Sequence, residues 1–291
     1  MTWSSFSSSR TRRATLAGCL VLMALSVSGC ANIEPSYFWD SIFRPSPALV
    51  NGIGLTLVIS VIAQILGVIL GVFAAMAKMA KFYMFRIVSN LYIWFFRGTP
   101  LLVQLIFFVY GFPAAGIFKW PTVAFGPILI PAEILAGTII LGVNEGAYMA
   151  EIVRAGILSV DPGQTEASKS LGMKYGQTMR RIVLPQAARV IVPPLGNEFN
   201  NMLKTTSLLT VVSVFELYNT TSVAAGHNFR YFELFAAAAV WYLLMTTIWG
   251  FIQGWIERRL AKGTTLTSAG PTGPGWRGRF FGGQADSLGG H

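Results

Sequence analysis

The chain has 291 residues, of which 53% are hydrophobic and only 12% charged, and its formal net charge is +10. An ordinary soluble domain carries about 25% charged residues, so this composition excludes that class and points to a membrane protein. Two cysteines, Cys19 and Cys30, give no case for a disulfide framework or a zinc site.

The first thirty residues, 1–30, form a signal-like segment. Arg12-Arg13 precede an apolar run over 16–27, and Val27-Ser28-Gly29-Cys30 closes it. The run is short for a membrane span, as the apolar regions of secretory signals are. Two readings stand: a lipoprotein signal, with Cys30 lipidated after cleavage before it, or an uncleaved anchor. Either leaves 31–50 as an extracytoplasmic lead to a membrane domain over 51–260.

Residues 53–77 make the clearest span, twenty-five residues interrupted only by Thr56, Ser60 and Gln64. At about 1.5 Å per residue they exceed a hydrocarbon core of about 30 Å. Gly67 and Gly71 within it permit close helix approach, in the core or at a subunit interface. A second span is expected over about 99–118, opened at the cytoplasmic surface by Arg97-Gly98-Thr99-Pro100, since Arg favours the interface, Thr99 can cap and Pro suits a first turn. A third covers 128–153.

Asp161-Pro162 then supplies a side-chain acceptor and a preset φ, with Gln164 three residues after Asp161, so a short helix is expected from Pro162. Gly172 suits a left-handed stop, and 173–184 start a second helix that Pro185 interrupts. The stretch 166–185 reads EASKSLGMKYGQTMRRIVLP, and its Lys169, Lys174, Arg180 and Arg181 by themselves describe a basic cytoplasmic loop. A fourth span over 189–203 holds Pro193-Pro194, Asn197, Glu198, Asn200 and Asn201, and is expected to be irregular and to face protein or a wet cavity. The last covers 232–256, with Trp241, Tyr242, Trp249 and Trp255 as interfacial anchors. Residues 261–291, rich in Gly, Ser, Thr and Pro, are expected to be a disordered tail.

The segment 166–185 resembles the cytoplasmic coupling loop, or EAA motif, of ABC-importer permeases. The shared pattern is Glu, Ala, a small residue, three residues, Gly, nine residues, an apolar residue, two residues and Pro. Glu166, Ala167, Ser168, Gly172, Ile182 and Pro185 fill every slot, with Ser168 where Ala is usual. The likeness continues through NGIGLTL from Asn51, RGTPLLVQ from Arg97, and GAYMAEIVRAGILSVDPGQTEASKSLG from Gly146. It ends with LPQAARVIVPPLGNEFNNMLKTTSLLTVVSVFEL, which closes at Leu217. Together these resemble the polar amino acid branch of those permeases, the histidine, glutamine and arginine type, over about 51–259.

The resemblance implies an all-α polytopic membrane protein with five core transmembrane helices of the type I ABC-importer permease fold, in the bacterial inner membrane. It implies a homodimer or a pairing with a sister permease chain. A polar amino acid would be delivered by an extracytoplasmic amino-acid-binding protein, and two separate ATPase subunits would hold ATP and Mg. The chain itself would need no cofactor and be no enzyme, and it has no G-x-x-x-x-G-K-[ST] phosphate loop. ATP binding would drag the helix at 162–171, with Glu166 facing the ATPase groove, Ala167 and Ser168 allowing close approach and Gly172 setting the corner.

Placing that loop inside assigns all Lys and Arg to the cytoplasm except Arg44, Lys119, Lys204 and Arg230, as the positive-inside rule requires, and puts the C-terminus there too. The charge therefore needs no nucleic-acid partner. Groups that a bilayer would penalise mark the substrate path: Glu145, Tyr148 and Glu151 in the third span, and Asn197, Glu198, Asn200 and Asn201 in the fourth. Glu151 also pairs naturally with Arg154 three residues on. Glu145 and Glu198 could attract an amino group, or pair with Lys204 or Arg189. His227 lacks neighbours at metal-ligand spacing, and no catalytic residues are found. Two competing classes are an ion-gradient transporter working through Glu145 and Glu198, and a lipid-anchored scaffold.

Overall fold

The structure is a computed structural model that describes residues 34–261; Cys30, the signal-like segment and the tail from 262 lie outside the described residues. Described helices are α1 (Pro35–Phe43), α2 (Pro47–Met79), α3 (Tyr83–Gly98), α4 (Leu101–Ala114), α5 (Ala132–Leu158), α6 (Pro162–Ser170), α7 (Tyr175–Val212), α8 (Leu217–Asn228) and α9 (Tyr231–Ala261). A small antiparallel hairpin, β1 (Val123–Phe125) and β2 (Ile128–Ile130), precedes α5.

Ser46 caps α2 by accepting from the Leu49 N–H, and Pro47 occupies the first turn. α2 then packs along α5 through glycines spaced four apart on both helices. A Cβ on Gly71 would lie 2.3 Å from Met149 Cβ, and one on Gly142 2.7 Å from Leu66 Cδ2. Gly67 and Gly71 therefore serve the core of the chain itself. The paired residues advance together, Gly67 against Gly142 and Gly71 against Met149, so the helices run parallel. Val58, Ile62, Ile65 and Phe73 stay exposed on the far side of α2, as a lipid-facing surface would.

α2 and α9 are each long and apolar enough to cross a membrane, and α3 with α4, and α7 with α8, qualify as bent pairs. α5 runs 27 residues and buries Thr138, Asn144 and Glu145 inside the bundle. The second span differs from expectation. Its first half is α3, which had been read as cytoplasmic loop, and α4 leaves it at 106°. Tyr83–Gly98 is too short to span and carries Arg86 and Arg97, so no apolar window exposes it in the sequence. Ser89 Oγ bonds Ala74 O and Tyr92 Oη bonds Val143 O, which sets α3 antiparallel to its neighbours. Arg97 thus ends level with the middle of α5 and not at a cytoplasmic helix start.

The break at Thr99-Pro100, both extended, frees backbone carbonyls, and buried amides take them up. Gln104 Nε2 donates to Phe96 O and Thr99 O, while Asn144 Nδ2 donates to Phe96 O and to Gln104 Oε1. The third span begins at Ala132 and not at residue 128, which pairs in β2.

The fourth span is more regular than expected. α7 stays helical through Pro185, Pro193 and Pro194 over Leu184–Thr205 and tightens to a 3-10 helix only at Thr206–Val212. Pro185 does not interrupt the helix, because a π-helical turn at Met179–Val183 widens the backbone just before it. Gln253 Nε2 reaches Pro193 O and Trp249 Nε1 reaches Gly196 O, so α9 braces the proline stretch. Ser213, left-handed at φ 59, turns the chain into α8, which the sequence reading had missed. Its cap is the buried carboxylate of Glu216, which accepts from the Tyr218 and Asn219 N–H groups and from Tyr242 Oη.

Candidate functional site

The first constellation is the loop between α5 and α7. Asp161 Oδ1 accepts from the Gly163 N–H at 2.9 Å, so α6 starts where expected. Gln164 bonds Asp161 through its backbone N–H and not through a reciprocal side-chain bond. Gly172 ends the segment at φ +75, with its N–H on Lys169 O and the Met173 N–H on Ser168 O, a left-handed stop that satisfies two helix carbonyls. The helix, Gly corner and second helix are all present.

Ser168 has a different place from the one expected. Its hydroxyl is buried, donates to Thr165 O at 2.8 Å and meets Thr178 Oγ1 at 2.9 Å. A small residue is needed there so that α6 can lie on α7, not so that an outside partner can approach. Glu166 and Ala167 are exposed beside it, Ile182 is half-buried in the π turn, and Pro185 is exposed. Leu171 and Tyr175, 81% and 74% exposed, flank Gly172 as an apolar edge that no polar motif in the sequence marks.

The second constellation is a cavity of about 240 Å³ between α5, α7 and the start of α4. Of the expected path residues it brings together Glu145, Tyr148, Glu198 and Asn201, and it adds Asn144 and Thr205. α5 supplies Asn144, Glu145 and Tyr148 from one face, and α7 supplies Glu198, Asn201 and Thr205 at helical spacing. Glu145 is buried against α2: Gln64 Nε2 lies 3.4 Å from its Oε1, and Gly67 leaves room for its side chain. Arg97 sits with its guanidinium 5.3 Å from the centre of the Tyr148 ring, which brings a cation to the cavity's edge.

Glu151, Asn197 and Asn200 do not line this cavity. Glu151 lies a turn beyond, where it binds Lys78 of α2 as well as Arg154, at 2.9 Å, so its charge is spent on joining two helix ends. Asn197 Oδ1 accepts from Gln253, and Asn200 Oδ1 is buried without a partner among the described residues. Lys204 forms no ion pair with either cavity carboxylate among the described residues. Adjacency to Glu145 was the one sequence signal for Asn144; Gln64 showed only as a polar break in an apolar span, and neither its contact with Glu145 nor that of Arg97 with Tyr148 was legible, because they span 81 and 51 residues.

Residues 67–262 match the family described as binding-protein-dependent transport system inner membrane component. The arginine transport system permease protein ArgU of Corynebacterium glutamicum is 42% identical over 80% of this chain and 72% of the relative. The glutamine transport system permease protein GlnP of Escherichia coli K12 is 35% identical over 76% of this chain and 97% of its own length. Among solved structures, the crystal structure of an amino acid ABC transporter with histidines superposes with a TM-score of 0.68 and 35% identity, over 79% of this chain and all of the other. An inward-facing structure of a methionine ABC transporter, 18% identical with a TM-score of 0.58 over 74% and 97% of the two chains, shares the fold.

Proposed function

The chain belongs to the family of binding-protein-dependent transport system inner membrane components and is a permease subunit of an ABC importer; from that premise we propose that it carries polar amino acids. Family membership removes the ion-gradient transporter and the scaffold as alternatives. The observation that carries the cargo reading is the cavity in which Glu145 and Glu198 converge with Tyr148, Asn144 and Asn201, acceptor-rich and suited to an amino group. Relatives named for arginine and glutamine support the same class.

In this proposal the loop carries the drive. An ATPase partner, holding ATP and Mg, engages the exposed Glu166, Ala167, Leu171 and Tyr175. Gly172 sets the corner, and the Ser168 to Thr178 contact passes the motion to α7 and its Glu198. The extracytoplasmic binding protein delivers cargo at the opposite end. Asn197, Asn201 and Lys204 form an exposed polar stripe on α7, which lipid would not tolerate, so a second permease subunit, identical or sister, covers it. The basic loop and C-terminus lie in the cytoplasm, in keeping with the distribution of Lys and Arg.

The test is ATPase activity in proteoliposomes holding this chain with its ATPase and binding protein, against a panel of polar amino acids. Stimulation by one class is expected, weakened in affinity by Glu145→Gln and lost in Gly172→Val, whose β-branched side chain cannot hold φ +75. Undiminished stimulation in Gly172→Val would remove the coupling reading, and stimulation by no polar amino acid would remove the cargo reading.

A further inference from the structure

A second cavity, of about 490 Å³, lies at the end of the bundle away from the Gly172 corner, between α1, the start of α2, α8 and the start of α9. Its lining is divided in character. Leu49, Phe215, Val223 and Leu234 make an apolar floor, while Asp40 and Arg44 stand one turn apart on α1 and its cap. Opposite charges at this spacing ordinarily pair. Here neither is in an ion pair among the described residues, although both face the same cavity.

The position of α1 says what medium this cavity meets. Trp241 Nε1 of α9 donates to Ser41 O, and Asn228 Nδ2 to Tyr37 Oη, so α1 lies along the outer third of α9. Trp39 and Phe43, 53% and 74% exposed, stack with ring centres 5.7 Å apart on its free side. Tyr231 and Phe232 are exposed at the same end, and the apolar outer face of α2 starts at Val50. Exposed Trp and Tyr beside an apolar face are the side chains enriched where membrane proteins meet the lipid headgroups. Asp40 and Arg44 are both exposed at this cavity, so a positive and a negative charge are open to a ligand that carries both signs.

We propose that this cavity binds the headgroup of a zwitterionic aminophospholipid in the leaflet opposite the Gly172 corner. The lipid ammonium meets Asp40, the phosphate meets Arg44 with the Tyr37 hydroxyl beside it, and the first part of an acyl chain lies on Leu49, Val223 and Leu234. A headgroup with a phosphate but no ammonium would satisfy Arg44 and leave Asp40 unpaired beside the lipid's negative charge. The site rests on the membrane reading of the helices and on neither the cargo nor the coupling reading.

Native mass spectrometry of the full-length chain, purified in its complex from mixed vesicles of phosphatidylethanolamine and phosphatidylglycerol in equal amounts, tests it. Retention of phosphatidylethanolamine at least about fivefold over phosphatidylglycerol is expected, a preference of about 1 kcal/mol. Asp40→Asn should abolish the preference, and Arg44→Gln should release both lipids. Equal retention of the two lipids by the unaltered chain would overturn the proposal, whatever the variants do. Displacement of the lipid by millimolar glycine, a zwitterion without acyl chains, would overturn it in favour of a free amino acid site. Transport failure in the ATPase assay leaves this readout untouched.

Discussion

The hydroxyls of Ser168 and Thr178 meet at 2.9 Å across the Gly172 corner, both buried. This contact ties α6 to the first turn of α7, and α7 carries Glu198 to the cavity. The loop and the cavity are thus joined by one continuous helix.

Replacing Ser168 separates the polar from the steric part of that contact. Ser168→Ala removes two hydrogen bonds, to Thr165 O and to Thr178 Oγ1, at a cost of about 1–3 kcal/mol and should leave stimulated ATPase near normal. Ser168→Leu overfills the joint at about 1–3 kcal/mol and should cut stimulation at least tenfold while the ATPase still copurifies. Full stimulation in the Leu variant would mean that the joint transmits nothing.

The α2 and α5 packing makes an opposite pair of expectations for two glycines seventeen residues apart. Gly71→Leu puts a side chain where Met149 Cβ stands only 2.3 Å away, forces the helices apart, and should lower the melting temperature in detergent by several degrees or abolish expression. Gly54→Ala meets nothing within 4 Å and should be neutral or stabilising by up to about 1 kcal/mol, since Gly weakens a helix interior.

Glu151 binds two cations, so its loss should exceed the loss of either. Glu151→Ala leaves Lys78 and Arg154 facing each other at the helix ends; Lys78→Met keeps the Arg154 pair. These side chains are 20–33% exposed, and screening limits the larger effect to about 1–3 kcal/mol. Thermal melts of the single and double variants should show partial recovery in Lys78→Met/Glu151→Ala. Affinity for cargo should stay unchanged in Lys78→Met, and a change there would return Glu151 to the substrate path.

At the opposite end, Arg230 donates to Glu34 at 2.6 Å and lies over the Tyr37 ring. That hydrogen bond holds the Glu34 carboxyl below its ordinary value of 4.5. A lowered folded value means that the contact contributes fully at neutral pH and is lost as pH falls through the folded value, below 4.5. Trp39 emission in nanodiscs, read in a chain whose other tryptophans are replaced by Phe, should be flat from pH 8 to 5 and shift only in stronger acid, and Glu34→Gln should reduce the shift. A transition near pH 6 would assign the change to another group.

Much of the loop was legible because its signals are local. Asp161-Pro162, Gly172 and the spacing from Glu166 to Pro185 act within a turn or two, where capping and left-handed backbone are dictated by the residue itself. Long apolar runs likewise announce α2 and α9, because crossing hydrocarbon demands length and apolarity of the sequence directly. α3 and α8 escaped notice because each is too short to span alone: α3 is apolar but carries Arg86 and Arg97, and α8 mixes apolar with polar residues. The Pro185 expectation failed for a related reason: a π turn upstream can absorb a proline, and nothing in a linear pattern reveals that widening.

The sequence by itself determined the family, the helical membrane character and the helix, Gly corner and helix of the basic loop, since these rest on composition and near-neighbour spacing. Tertiary structure alone decided which polar groups share a cavity. Glu145, Tyr148 and Glu198 converge, Glu151 is diverted to Lys78, and Ser168 turns inward to Thr178. Each outcome depends on contacts between residues far apart in the chain or on which face of a helix meets its neighbour, and residue types and their near-neighbour spacing specify neither.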